Sequence, residues 1–226
     1  MGDVREDLLI INRARAHIIG LMHHLFSEPP SEGQLKALFD DTTSEALMLF
    51  EGIGHNGFDT ALNAFKTLRN SAAKPCPDDL DRDYTRLFVG PGTLLAAPWE
   101  SVYVSPKRLL FQKSTLEVRA DYNAEGFVFA GYPSAPDDHL AAELDFIYQL
   151  CLRFEAAAET GDAAECGRLA EVQRSFEERH LLRWIDGFAQ QVADANVRPY
   201  YPVLSRLLAD FITLDQDTLA EIIDAL

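Results

Sequence analysis

Acid–base chemistry needs a titratable pair held within hydrogen-bond reach, and the chain offers one such pair. His139 and Glu143 stand four residues apart, so a helix would place both on one face. The same spacing at the start of a helix also serves as a hydrogen-bonding pair that fixes the loop above it, and both readings stay open. Metal chemistry is poorly served. His23 and His24 are adjacent and point to different helix faces, while His17 and His24 lie two turns apart. Glu177 and His180 form a lone Glu-x-x-His, whereas a di-iron bundle takes two such pairs and two further inward glutamates. No His-Glu-x-x-His motif and no His-Asp dipeptide occur.

Nucleophilic and nucleotide chemistry find no motif either. There is no Gly-x-Ser-x-Gly elbow, and Ser101 follows Glu100 in a stretch without clear periodicity. Cys76, Cys151 and Cys166 show no Cys-x-x-Cys spacing and no histidine nearby in sequence, a pattern that suits a reducing compartment. Gly90-Pro91-Gly92 lacks the lysine of a phosphate-binding loop. The residues therefore point to no catalytic group, no metal and no cofactor. The enzyme reading kept beside this is a metal- or small-molecule-dependent helical enzyme using His139 and Glu143 in a cleft between two lobes.

The elements that would position these residues are helical. Leu8, Ile11, Ile18, Met22 and Leu25 share one face of a long first helix that ends at Ser27-Glu28-Pro29-Pro30, and its apolar circumference predicts a central, buried place. Helices are expected over 31–39, 44–53 and 58–70, then from Pro75-Cys76-Pro77 to about Val89, and near 107–122. Later apolar stripes mark helices over 140–154, 169–176, 181–192, 204–211 and 219–226. Ser134-Ala135-Pro136-Asp137 reads as a capping box opening the first of these, and Gly161-Asp162 as its stop. The fold expected is all-α, about ten helices, with an N-terminal lobe 1–122, a hinge at 123–136 and a C-terminal lobe 137–226. Between Gly90 and Pro106 the periodicity fails although Leu94, Leu95, Trp99, Val102 and Tyr103 are apolar; long apolar loops in compact domains commonly carry function.

Composition narrows the partners. The 226 residues are 47% hydrophobic and 25% charged, which is globular rather than disordered. Thirty-six acidic against 20 basic side chains give a formal charge of −16 and a pI near 4.7. Such a field repels phosphate backbones and anionic lipid, so nucleic acid and membrane surfaces are not expected partners. Val89 to Trp99, a charge-free stretch near the middle, is too short to span a bilayer. The N-terminus begins acidic, without a basic region and cleavable apolar stretch, so a cytoplasmic location is expected.

Two blocks, taken in order, carry a resemblance. One is Tyr84-Thr85-Arg86-Leu87-Phe88-Val89-Gly90-Pro91 followed by Pro98-Trp99-Glu100-Ser101-Val102-Tyr103, and the other is Pro136-Asp137-Asp138-His139-Leu140 continuing to Glu143-Leu144. With His180-Leu181-x-x-Trp184 further on, this all-helical, acidic chain resembles the TorD/DmsD family of cytoplasmic chaperones for exported molybdoenzymes. The resemblance covers most of the chain. Ala135 stands where the family usually has glutamate, and His17 where a first-helix tyrosine is common.

The resemblance implies a binding protein rather than an enzyme. Its partners would be a twin-arginine leader peptide and the cofactor-free molybdoenzyme behind it, with the chaperone a monomer or a lobe-exchanged homodimer. Leu87, Phe88, Pro98, Trp99 and Val102 would meet the apolar part of the leader, at roughly 1.5–3 kcal/mol for each large side chain well covered. Asp137 and Asp138, with Glu100 or Glu143, would meet the arginines through bidentate pairing. Tyr84, Gly90, Pro91, Ser101, Pro136 and His139 complete the expected binding region, some of them by shaping loops.

Overall fold

The structure is a computed structural model that describes residues 4–72, 75–105, 109–129 and 136–226. It is all-α: among the described residues there is no strand, and eleven α-helices follow one another with a π-helical turn and a 3-10 turn between them.

Helix α1 (Val4–Ser27) is the axis of the fold, as its apolar circumference predicts. It lies antiparallel against α8 (Leu140–Thr160): Asn12 reaches the carbonyl of Cys151 (2.9 Å), and His23 Nδ1 donates to the carbonyl of Ala141 (2.7 Å). Gly20 permits the approach, since a Cβ there would lie 2.9 Å from the Tyr148 ring. Around this pair stand α2 (Glu32–Leu38), capped by a Ser31/Gln34 box, α3 (Asp41–Met48), α4 (Asn56–Asn70) and α5 (Pro77–Tyr84). Helices α9 (Ala163–Arg179), α10 (Ile185–Asp194) and α11 (Tyr200–Ala225) close the bundle, α11 packing on α4, α9 and α10. Gly161 stops α8 in the left-handed conformation, φ 79°, where glycine is unstrained.

Several boundaries differ from expectation, for physical reasons. The stretch 200–225 is one helix rather than two, because no glycine or proline interrupts it after Pro202, which sits in the first turn. The helix expected to run to Val89 turns into a π-helix over Thr85–Val89, where Gly90 N–H bonds back to Thr85 (2.8 Å). A five-residue helix α6 (Glu100–Val104) lies inside the segment expected to be irregular, and α7 runs Lys113–Ala124. The cap of α8 is His139, not the expected Ser134-to-Asp137 box; Ser134 and Ala135 lie outside the described residues, as do 130–133 of the expected hinge.

The buried apolar cluster is continuous and is drawn from both sides of 123–136, from Leu8 on α1 to Ile222 on α11. Among the described residues no helix is long and apolar enough to cross a membrane.

Candidate functional site

The three sequence blocks, separated by up to about a hundred residues, fold into one joint. Tyr84 is buried at the end of α5; its hydroxyl donates to the carbonyl of Phe26 (3.3 Å) and its ring meets Phe88. Leu87 and Phe88, on the π-helical turn, are core: Phe88 stacks on Phe188 of α10 and meets Phe26 of α1 edge-on. A π-helical turn carries one more residue than an α-turn. The chain then swings outward at Gly90, φ 98°, where a Cβ would sit 3.2 Å from the Gly92 nitrogen. Val89 and Pro91 face solvent, and the loop returns where Ala96 N–H donates to the carbonyl of Leu87 (3.2 Å).

There the second block meets the first. Trp99 and His139 form an isolated antiparallel bridge, their rings edge to face at 5.4 Å. Glu100 N–H donates to the carbonyl of Asp138 (3.0 Å), and Leu140 N–H to the carbonyl of buried Pro98 (2.9 Å). The Asp138 carboxylate accepts from Ser101 N–H (2.7 Å) at the start of α6, so one aspartate ties the two blocks through backbone and side chain alike. His139 caps α8 by accepting from Ala141 N–H at Nδ1 (3.1 Å). An accepting Nδ1 is unprotonated, and burial, helped by His23, lowers the His139 pKa to about 4.

The third block lies beneath. Fully buried Glu100 accepts from His180 Nδ1 (3.0 Å) and from Arg183 (3.3 Å), while His180 Nε2 donates to Asp121 (2.9 Å). Both ring nitrogens face carboxylates, an arrangement that favours the imidazolium form. Burial alone would lower its pKa, but the hydrogen bonds to Asp121 and Glu100 outweigh that and raise it. Buried Glu143 accepts from the Trp184 indole N–H (3.2 Å), and the Trp184 ring meets Tyr103. Burial, reinforced by the charges of Glu100 and Asp138, raises the Glu143 pKa well above the carboxylate range.

Asp137 is buried too, gripped by Arg119 through Nε (2.9 Å), and its carbonyl accepts from the Tyr122 hydroxyl (3.1 Å). The structure thus brings all the candidate residues to one place and divides them by exposure. Glu100, Ser101, Pro136, Asp137, Asp138 and Glu143 lie inside the joint; Gly90, Trp99, Val102 and His139 are half-buried, and Pro91 is exposed. His139 and Glu143 each have a different local partner, and Glu177 and His180 turn to Gln216 and Glu100 respectively. Among the described residues no group of three or more His, Cys, Asp or Glu has a metal-holding arrangement. Sequence reasoning missed Arg119, Tyr122 and Asp121, because nothing in their spacing ties them to the blocks they brace. It also passed over Val89, which adjoins Phe88 but points outward, 63% exposed.

A family model described as nitrate reductase delta subunit matches residues 55–190, a span that contains the whole joint. The chain belongs to this family. Among curated relatives it is similar to the chaperone protein TorD of Vibrio cholerae, 26% identical over 96% of this chain and 97% of the relative, and to TorD of Vibrio atlanticus, 26% identical over 95% and 99%. It is also similar to the Tat proofreading chaperone DmsD of Salmonella typhi, 31% identical over 58% of this chain and 57% of the relative. Within the family it stands with the TorD/DmsD chaperones of molybdoenzyme maturation, which are not enzymes. The buried acids of the joint are those of a chaperone, and the enzyme reading of His139 and Glu143 falls away.

Proposed function

We propose that this TorD/DmsD chaperone binds, in the cytoplasm, the twin-arginine leader and the cofactor-free form of an exported molybdopterin oxidoreductase, delaying export until the cofactor is loaded. One observation carries this reading: an apolar loop anchored at both ends by the joint turns Val89 (63% exposed) and Leu95 (42%) to solvent beside half-buried Trp99 and Val102. A rigid base under an exposed apolar strip suits an apolar leader segment, since little ordering is left to be done on binding. In this reading Val89, Pro91, Leu95, Trp99, Val102 and His139 touch the leader. Tyr84, Leu87, Phe88, Gly90, Pro98, Ser101 and Pro136 shape the loop, and Glu100, Asp137, Asp138 and Glu143 hold the joint. The arginine pair is steered by the chain's acidic field rather than by those four carboxylates, which are buried, although Asp138 Oδ1 and Glu143 Oε1 have no hydrogen-bond partner among the described residues.

The lobes 1–122 and 137–226 belong to the same reading, with 123–136 as the segment about which two copies would exchange them. A core built from both sides would be rebuilt intact in such a dimer.

Calorimetric titration with a synthetic twin-arginine leader tests this. Val89→Asp is expected to weaken binding by about tenfold, since it places a charge in an apolar contact. Replacing both leader arginines by glutamine should weaken it by about two- to fivefold, as exposed charges do. If several leaders give no heat and no protection of the peptide from proteolysis, the reading is wrong.

A further inference from the structure

A second apolar surface lies far from the joint. The N-terminal half of α1, the end of α3 with the turn after it, and the last turns of α11 enclose a groove of about 450 Å³. Its apolar lining includes Ile10, Ile11, Leu49 and Ile53; Ile10 is 47% exposed, Leu49 50% and Ile53 53%. Met48, next to it, is also exposed. Asp7 and Glu221 stand on its lining, both exposed. Arg13 pairs with Glu155 and Glu159, Lys66 with Glu51, and Arg5 reaches the carbonyl of Glu159. Among the described residues Asp7 and Glu221 have no cationic partner. Thirteen residues of α1 separate Ile10 from His23, which touches α8 beside the joint, a distance of about 20 Å at 1.5 Å per residue.

We infer that this groove is a second docking site, for a cationic amphipathic segment of a partner protein that seats a bulky apolar side chain between Ile10, Leu49 and Ile53 and sets Arg or Lys against Asp7 and Glu221. The occupant follows from charge. A second copy of this chain is disfavoured because a net −16 on each copy opposes the approach. The same acids repel anionic lipid and nucleic acid. A segment with apolar and basic faces meets both halves of the lining, its apolar side supplying affinity and its charges orientation. The site is independent of the leader surface and would give the chaperone a separate hold on the body of a client or on another protein.

The probe is a fluorescent synthetic helix of about 14 residues with leucines on one face and lysine and arginine on the other, beside a twin carrying glutamate at every basic position. Anisotropy is read on the full chain at about 0.15 M salt. The cationic peptide is expected to bind about tenfold or more tightly than its glutamate twin. Ile53→Asp and Leu49→Asp are each expected to weaken it by about fivefold or more. Asp7→Lys with Glu221→Lys should do the same, while Val89→Asp leaves binding unchanged; circular dichroism checks that each exposed-site variant is folded. Equal binding of the twin, indifference to Ile53→Asp, or abolition by Val89→Asp overturns the proposal. So does a dimer in sedimentation that Ile53→Asp dissolves, or displacement of the peptide by anionic vesicles. A leader that fails to bind defeats the leader reading and leaves this groove to be judged by the peptide alone.

Discussion

Two regions of the molecule bury charge, and they use it differently. In the joint, Glu100, Asp138 and Glu143 meet His180, Ser101 and Trp184, each contact joining a loop to a helix. At the bundle centre, fully buried Arg15 of α1 makes a bidentate pair with Asp215 of α11 (2.6 and 2.8 Å) and donates to Gln173 of α9 (2.9 Å), joining helix to helix. Cys151 and Glu177 border that centre; burial pushes the Cys151 thiol up to about 12 and, with Asp215, raises Glu177 well above the carboxylate range. The first region shapes a surface, and the second fixes how three helices sit against one another. Buried ion pairs serve specificity more dependably than they serve stability, and here the geometry assigns one cluster to the loop and the other to the bundle.

The comparison can be broken most sharply at Arg15. Arg15→Met leaves Asp215 buried and unpaired and should cost about 3–5 kcal/mol in urea unfolding. The fraction still folded is expected to keep its affinity for the leader, because the joint is untouched. Retained stability would show that the centre is hydrated rather than sealed.

His180→Ala comes next, at about 2–4 kcal/mol, since Glu100 keeps only Arg183. Here the leader affinity of the folded protein should fall as well, as the loop loses its anchor. Calorimetry under conditions where the variant is fully folded separates the two effects, and unchanged affinity would detach the joint from binding.

The smallest effect is in the pH dependence. Glu143 and Glu177 have folded-state pKa values raised above the ordinary 4.5, and His180 one raised above 6.5. A raised pKa means the folded state holds the proton more tightly, so the stabilisation is complete below the unfolded value and is lost as pH rises through the folded one. These three groups should therefore cost stability as pH rises, the glutamates above about 4.5 and His180 above 6.5. His139, lowered to about 4, works the other way and adds stability between about pH 4 and 6.5, so urea midpoints from pH 6.5 upward are where the decline shows. Glu143→Gln and Glu177→Gln should each flatten the decline by on the order of 1 kcal/mol. A decline as steep in both variants as in the parent would mean that neither carboxyl is held protonated.

The sequence made one of these regions legible and hid the other. The joint's residues come in tight local runs, and only Arg119, Tyr122 and Asp121 were invisible, since α7 meets the blocks by packing alone. Arg15 lies on a helix whose neighbours Ile11, Ile18 and Met22 already explain its burial, so nothing marked it as a buried cation. Its partner Asp215 is 200 residues away. The α6 helix was hidden by Pro98 and by a length of five residues, too short for a periodicity to show.

By itself the sequence determined the all-α class, the central first helix and the family, because 3.6-residue periodicity and ordered local blocks are properties of neighbouring residues. Only the tertiary structure decided what the acids do. Asp137, Asp138, Glu100 and Glu143 read in sequence as carboxylates waiting for arginines, and in the fold they are interior and each holds a neighbouring element through at least one hydrogen bond. Whether a carboxylate faces solvent depends on which distant element covers it, and covering is a long-range property. The same holds for the apolar residues: Leu87 and Phe88 went to the core and Val89 to solvent, as the π-helical turn at 85–89 and its packing on α1 and α10 dictate.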